Sequence, residues 1–465
     1  MKERFLKEDL VRNFPLGRIQ RESFYKKTVG CLILAFLLLL PLAKADTYLT
    51  DCAVLDTSGE TYYLMQDIIN STTSSACMLI LADNVILDCQ GHIIDGIDSS
   101  NTYGIYVSHD SETATNITIK NCTLTDWDYG IYLQNSSSNN LDNITASSNI
   151  YAGIYLENSN SNNLISITSN LNSPDNGYGI YLDWSNSNNL INITANSNNV
   201  GIMIDNANYS NLSNIIVDSN SNLGVYLSTS NSNNLINITA HNSSAHNSSC
   251  GIEIDFSDSN VLSNIIANSN SYGMCFYSSN YNIINDSIIQ DNEYGVYLYY
   301  TGTANLLYNN LFNNTNNFYF YATVYPNYWN TTRQVGTRIY SNGTEIGGNY
   351  WTNPEGTGYS DTCTDADKDG FCDDPYVLNA NNTDYLALSD EYSPPTTTLP
   401  RLSESSPISA LVVVVVLCIV SVLWFMREFL TSTELSLVEK LIRVILVMLA
   451  LIASMILLAQ FFSII

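Results

Sequence analysis

From residue 104 to residue 305 one short pattern returns about every 24 residues, and a repeat of that length leaves a chain few folds to choose from. One anchor is a glycine followed by alternating apolar residues: Gly104, Gly130, Gly153, Gly179, Gly201, Gly224, Gly251, Gly273 and Gly295. The intervals are 26, 23, 26, 22, 23, 27, 22 and 22 residues. A second anchor, Asn before an aliphatic residue, follows nine or ten residues later at Asn140, Asn163, Asn189, Asn211, Asn234, Asn260, Asn282 and Asn305. Length varies only after the second anchor, so insertions gather at one corner of the repeat.

Positions one and three after the glycine are apolar, as in Ile105/Val107, Ile131/Leu133, Ile154/Leu156, Ile180/Leu182 and Val225/Leu227. Period two marks a strand with those side chains inward. A second short strand follows each Asn, as in 141–144 and 235–238, and helical periodicity is absent. Short strands at a fixed spacing stack into a parallel solenoid, here of about ten to twelve coils. The Asn column then has two physical uses: Asn tolerates a left-handed backbone at a tight corner, and stacked amides can bond from coil to coil. Glycine fits the bend before the strand by the same steric reasoning.

The units YGIYL and SNNL, the opening ILADNVILDCQGHIIDG (80–96) and the closing NYW and DPY segments resemble NosD-type β-helix proteins of archaeal surfaces. The resemblance covers roughly residues 46–390 and implies an all-β, right-handed parallel β-helix of the pectin-lyase-like class. It also brings the label copper-binding. Copper calls for a cluster of imidazole or soft ligands, and no His/Met/Cys constellation stands out, so copper is not expected.

Composition narrows the partners. Between residues 46 and 400 there are 36 acids against Lys120, Arg333, Arg338 and Lys368, a net charge of −32. Such a surface repels nucleic acid and acidic polysaccharide and suits cations. Position two after the glycine points outward and carries Tyr106, Tyr132, Tyr155, Tyr181, Tyr226 and Tyr297, a stripe that could bind sugar or serve as a structural ladder. Position four carries Glu157, Asp183 and Asp205, which would stand about 5 Å apart if the strands are in register. That column can hold a cation, act as paired acids, or simply keep the coil soluble. Enzymes of the pectate-lyase kind need an Arg or Lys near the substrate, and from 46 to 330 only Lys120 is basic. His92, His109, His241 and His246 do not share a column. Catalysis is therefore disfavoured.

Asp365, Asp367, Asp369, the Phe371 carbonyl and Asp373, with Gly370 at the sixth place, follow the spacing of a calcium loop. Tyr376 stands where the bidentate Glu belongs, so the match is partial and the ion's role would be structural. Of the cysteines, Cys363 with Cys372, Cys52 with Cys77, and Cys89 with Cys122 are expected to pair; Cys250 and Cys275 fall in different columns and are not. Sequons such as Asn116, Asn143, Asn192, Asn237 and Asn342 make glycosylation plausible outside a cell.

The domain order expected is a signal peptide at 1–45 (with an uncleaved anchor as the alternative), an N-terminal cap at 46–79, β-helix repeats at 80–330 and a C-terminal cap at 331–392. A Pro/Ser/Thr spacer at 393–407, a transmembrane helix at 408–426, a cytoplasmic loop at 427–443 and a second transmembrane helix at 444–465 complete it. This predicts a membrane-held extracellular solenoid. Three functions stay open: a surface protein touching glycans or other surface proteins, a carbohydrate-active enzyme, and a metal-handling protein.

Overall fold

In the computed structural model, residues 46–393 are described, apart from 109–113, 174, 244–248, 301–302 and 324. The signal segment, the spacer beyond Ser393 and both C-terminal hydrophobic segments lie outside these residues. Among the described residues, no helix is long and apolar enough to cross a membrane.

The chain coils into two long parallel sheets, one of 12 strands and one of 16. The glycine-marked strands build the first, and each pairs with its counterpart in the next coil without a slip. Ile131 faces Ile154, Ile154 faces Ile180, and Ile180 faces Ile202. The strands that follow the Asn anchors build the second sheet, where Leu141, Leu164, Leu190, Leu212 and Leu235 form one column. Both columns are fully buried, so the core is a rod of Ile and Leu running up the solenoid. Repetition is what makes this stable: each coil buries its apolar edge only against its neighbours.

Pairing begins earlier than the repeat does. Thr47–Leu49 pairs with Thr61–Leu64, and Ala53–Leu55 with Ala76–Ile80, so residues 46–79 are themselves coils. At the other end Tyr350–Thr352 pairs in parallel with Leu311–Asn313, extending the 16-stranded sheet into the closing segment.

Two expectations about the corners need correction. The buried amide ladder coincides with the Asn column taken as the second anchor only at Asn260, Asn282 and Asn305. Its members are Asn139, Asn162, Asn188, Ser210, Asn233, Asn260, Asn282 and Asn305, whereas Asn140, Asn163, Asn189, Asn211 and Asn234 stand one residue later and are not buried. The left-handed residue falls just before the ladder, at Ser138, Ser161, Ser187, Tyr209, Ser232 and Ser259. In the SNNL units it is the first Asn that turns inward; each accepts from the backbone N–H of its counterpart one coil earlier, Asn139 to Asn162 at 2.9 Å and Asn162 to Asn188 at 2.8 Å. A second buried ladder runs through Asn149, Asn172, Asn198 and Asn220 and was not read from the sequence. Nor do the anchor glycines have a positive φ. They are required by close approach: a Cβ on Gly179 would stand 2.4 Å from the Gly201 carbonyl oxygen, and one on Gly201 would stand 2.6 Å from that of Gly224.

All eight described cysteines are bonded. Cys52–Cys77, Cys89–Cys122 and Cys363–Cys372 pair as expected, and so do Cys250 and Cys275, against expectation. The error has a geometric cause. Cys250 precedes its glycine and Cys275 sits two places after the next one, but the strand bends at glycine so that both positions face outward. Their Cα atoms stand 6.1 Å apart on adjacent coils, within disulfide reach.

Candidate functional site: a tyrosine and carboxylate face

The outward face of the 12-stranded sheet carries three columns. The second position after glycine gives Tyr106, Tyr132, Tyr155 and Tyr181, in register along the sheet. The residue before glycine adds Tyr103, Tyr129 and Tyr178, a column that sequence reading missed because strict alternation would turn it inward. The rings stack along the solenoid axis: Tyr106 on Tyr132 at 5.2 Å and 21°, Tyr132 on Tyr155 at 5.0 Å and 23°, and Tyr103 on Tyr129 at 5.3 Å and 24°. Each ring thereby spends its faces on neighbours and shows edges and hydroxyls to solvent.

The third column is the acidic one, and it is in register: Gln134, Glu157, Asp183, Asp205, Ser228 and Asp255 follow one another. Tyrosine and carboxylate are coupled diagonally. Tyr106 donates to Gln134 at 2.5 Å, Tyr132 to Glu157, Tyr155 to Asp183 at 2.9 Å, and Tyr226 to Asp255 at 3.4 Å. Burial pushes the Asp183 carboxyl up, against the pull of the Tyr155 hydroxyl and with the Asp205 and Glu157 charges adding to the rise. Burial likewise raises the Tyr132 and Tyr155 phenols, helped by their carboxylate partners.

The ladder is interrupted in the middle. Met203 replaces one tyrosine, Glu253 and Cys275 replace two more, and Val200, Leu223 and Cys250 fill the column before glycine. Val200, Met203, Leu223, Cys250 and Cys275 pack into a small apolar cluster bordered by Tyr178, Tyr181, Tyr226, Tyr272, Tyr277 and Tyr297. Beyond the gap the stack resumes, with Tyr297 on Tyr319 at 5.6 Å and 12°. Glu253, half-buried, stands beside Cys250 and Cys275, and the loss of solvent there, with the Asp255 charge beside it, pushes its carboxyl up to about 7. Its type at that position is visible in the sequence; its partial burial is not.

The other candidate lies in the closing segment. Ligand oxygens of Asp365, Asp367 and Asp373 stand within 4.8 Å of one another, so the three could hold an ion. Asp369 turns elsewhere. One of its oxygens meets Arg333 and the other accepts from the Phe371 N–H at 2.9 Å. The Phe371 ring lies under both Arg333 and Arg338, each 4.6 Å from its centroid. The buried Asp365 carboxylate accepts from the N–H groups of Asp369 at 3.1 Å and Gly370 at 2.9 Å, which fixes the loop.

A solenoid of this register, with the glycine, Asn and closing NYW columns in place, can be set beside known families. The family described as periplasmic copper-binding protein (NosD) matches residues 66–237 and 237–356. The chain belongs to the NosD family. No curated protein matches it. Among solved structures, the enzymatically active domain of tailspike protein 2 from bacteriophage CBA120 is similar at 16% identity and a TM-score of 0.43, over 53% of this chain and 43% of that one. The Dettilon tailspike protein is similar at 14% and 0.45, over 59% and 60%. A mannuronan C-5 epimerase A-module from Azotobacter vinelandii is similar at 13% and 0.41, over 59% and 81%. This chain spans less than two thirds of either tailspike.

Among the described residues, the donors of this NosD chain do not gather into the set that the copper of the family description calls for. Copper sites gather imidazole, thiolate or thioether ligands. Among the described residues, His92 is taken up by Asp67 at 2.9 Å, and His241 sits in a column between Asp218 and Asn268. Cys250 and Cys275 converge on Glu253, but their sulfurs are bonded to each other. His109 and His246 lie outside the described residues. Four disulfides and the family description together place this NosD chain in a periplasmic or extracellular setting.

Proposed function

We propose that this NosD-family chain is a non-catalytic, membrane-held surface protein that binds an uncharged glycan along the tyrosine and carboxylate face. The observation that carries this reading is the in-register alternation of tyrosine hydroxyls and acceptors: Tyr132 with Glu157 and Tyr155 with Asp183, repeated at the coil spacing. Carboxylates already oriented by phenols are ready acceptors for sugar hydroxyls, and an array of them suits a repeating polymer. Among the described residues the sheet carries no Lys or Arg, which speaks for a neutral glycan over a polyuronate. The hydrophobic segments 408–426 and 444–465 would hold the solenoid at a membrane.

A glycan array on the purified protein tests the reading. Neutral polysaccharides should bind without turnover, and Asp183→Asn or Tyr155→Phe should weaken binding about three- to tenfold, the effect of about 1 kcal/mol per hydrogen bond. Product release lost in Glu253→Gln would instead support an enzyme, since a carboxyl titrating about 7 beside Asp255 has the makings of a general acid. For the Asp365, Asp367 and Asp373 group we infer calcium in a structural role, on the strength of its all-oxygen donors.

A further inference from the structure

The 12-stranded sheet ends at the strand Asn316–Tyr321, and where it meets the closing segment there is an open cleft of about 300 Å³. Phe318, Tyr359 and Tyr376 form its aromatic wall, with Tyr359 stacked on Tyr376 at 4.5 Å and 21°. Thr315 and Asn316 stand exposed along its rim, the Asn316 amide N–H donating to the Glu293 carbonyl at 3.3 Å, while the Asn353 side chain is spent on Thr357, accepting from its N–H at 2.9 Å and donating to its hydroxyl at 3.1 Å. The wall is held in place before any ligand arrives. The Tyr359 hydroxyl donates to the Asp374 carbonyl at 2.6 Å, the Trp351 N–H donates to the Ser360 hydroxyl at 2.8 Å, and Cys363–Cys372 ties the segment. A Cβ at Gly358 would stand 2.4 Å from the Thr352 Cα, so the backbone is already pressed shut behind the cleft.

The lining contains no Lys, Arg, His, Asp or Glu. Asp361, bonded to the lining itself, spends its carboxylate on the Gly358 N–H at 2.7 Å, the Thr352 hydroxyl at 2.6 Å and the Tyr350 hydroxyl at 2.8 Å. A phosphate or carboxylate ligand would find no cation there, and an amine or metal no anion. A lipid chain would cover the Thr315 hydroxyl of the rim and give it nothing to bond. An aromatic wall facing amides and hydroxyls is the chemistry of a sugar ring, with an apolar face on one side and hydroxyls around the edge. A volume near 300 Å³ is at the small end of ligand pockets and suits one or two rings.

We propose that this cleft is a binding site for an uncharged saccharide end, one or two rings long. Its apolar ring face lies against the aromatic wall, and its hydroxyls meet Thr315 and Asn316. The site lies at the end of the tyrosine columns, because Asn316 is the register partner of Tyr294. It does not need the tyrosine face to bind anything.

Saturation-transfer NMR on the full chain in detergent micelles tests this, with the methyl glycosides of glucose, galactose, mannose and N-acetylglucosamine as probes. Transfer is expected to at least one glycoside. It should fall at least about tenfold in Thr315→Trp, which fills the cleft, and persist in Ser213→Ala, on the other sheet. Asn316→Leu, at an exposed position, provides a second variant should Thr315→Trp unfold. No transfer to any of the four probes would overturn the proposal. So would transfer unchanged in a folded cleft variant, or transfer lost in Asp183→Asn while Thr315→Trp retains it, which would assign the binding to the face.

Discussion

Asn188 shows how much one side chain does in this fold. It is fully buried, accepts from the Asn162 N–H at 2.8 Å, and donates to the carbonyls of Ser159 at 3.0 Å and Ser185 at 2.8 Å. Asn188→Leu keeps the volume but strands these buried groups on two coils. A loss of about 3 kcal/mol is expected, read as a lower midpoint in urea, since each stranded group costs about 1–3 kcal/mol. Glu253 gives the second residue-level prediction. Its carboxyl titrates about 7 in the folded chain against an ordinary value of 4.5, so between those pH values the folded state binds more protons than the unfolded one. Stability therefore falls as pH rises from about 4.5 to about 7. Asp384, buried and pushed up to about 6 from 3.8, adds a slope of the same sign lower down. Glu253→Gln should remove its share, about 3 kcal/mol by neutral pH at about 1.4 kcal/mol per unit. Melting curves of both proteins at pH 5 and pH 8 check it; a parallel fall in the two would refute it.

At the scale of elements, the strand bend at glycine decides which side chains meet. It turns the residue before glycine outward, doubles the tyrosine ladder, and brings Cys250 beside Cys275. The closing loop, Asp365 to Asp373, is an element of another kind, fixed by turn hydrogen bonds and a disulfide. If it holds calcium, saturating calcium should raise the thermal midpoint of the chelated protein, by the equivalent of about 2.7 kcal/mol at one hundred times the dissociation constant. Asp367→Asn, at an exposed ligand, should abolish the rise while leaving the chelated protein's midpoint nearly unchanged. An identical rise in that variant would place the ion elsewhere.

For the whole molecule, the closing segment is a lid on an otherwise open stack of strands. Trp329 and Trp351 are buried over the last coils, and Asn349 and Asp384 end one amide ladder, Asn310 to Asn349 at 3.1 Å and Asn349 to Asp384 at 2.8 Å. Removing residues 331–393 while keeping the rest would leave unpaired strand edges and exposed aromatic rings. Such a chain should aggregate or lose its cooperative melt, as sedimentation and circular dichroism would show. A monodisperse truncated protein with an unchanged melt would mean that the coils need no closure.

Much of this was legible in the residues alone. Periods near 24, the inward Ile and Leu columns, the acidic column and three disulfides follow from spacing, because a parallel solenoid turns sequence phase directly into position. The corner details were not. Choosing between Asn139 and Asn140, placing Cys250 beside Cys275, and finding the outward tyrosines before glycine all needed the actual bend of the backbone. Burial of Glu253 and the cleft beside Tyr376 were equally hidden, since each is made by residues from separate coils or from the closing segment. The repeat by itself determined which residues share a column. Only the tertiary structure decided which way each column faces and what covers it, because a one-residue bend at glycine reverses the facing without altering the period.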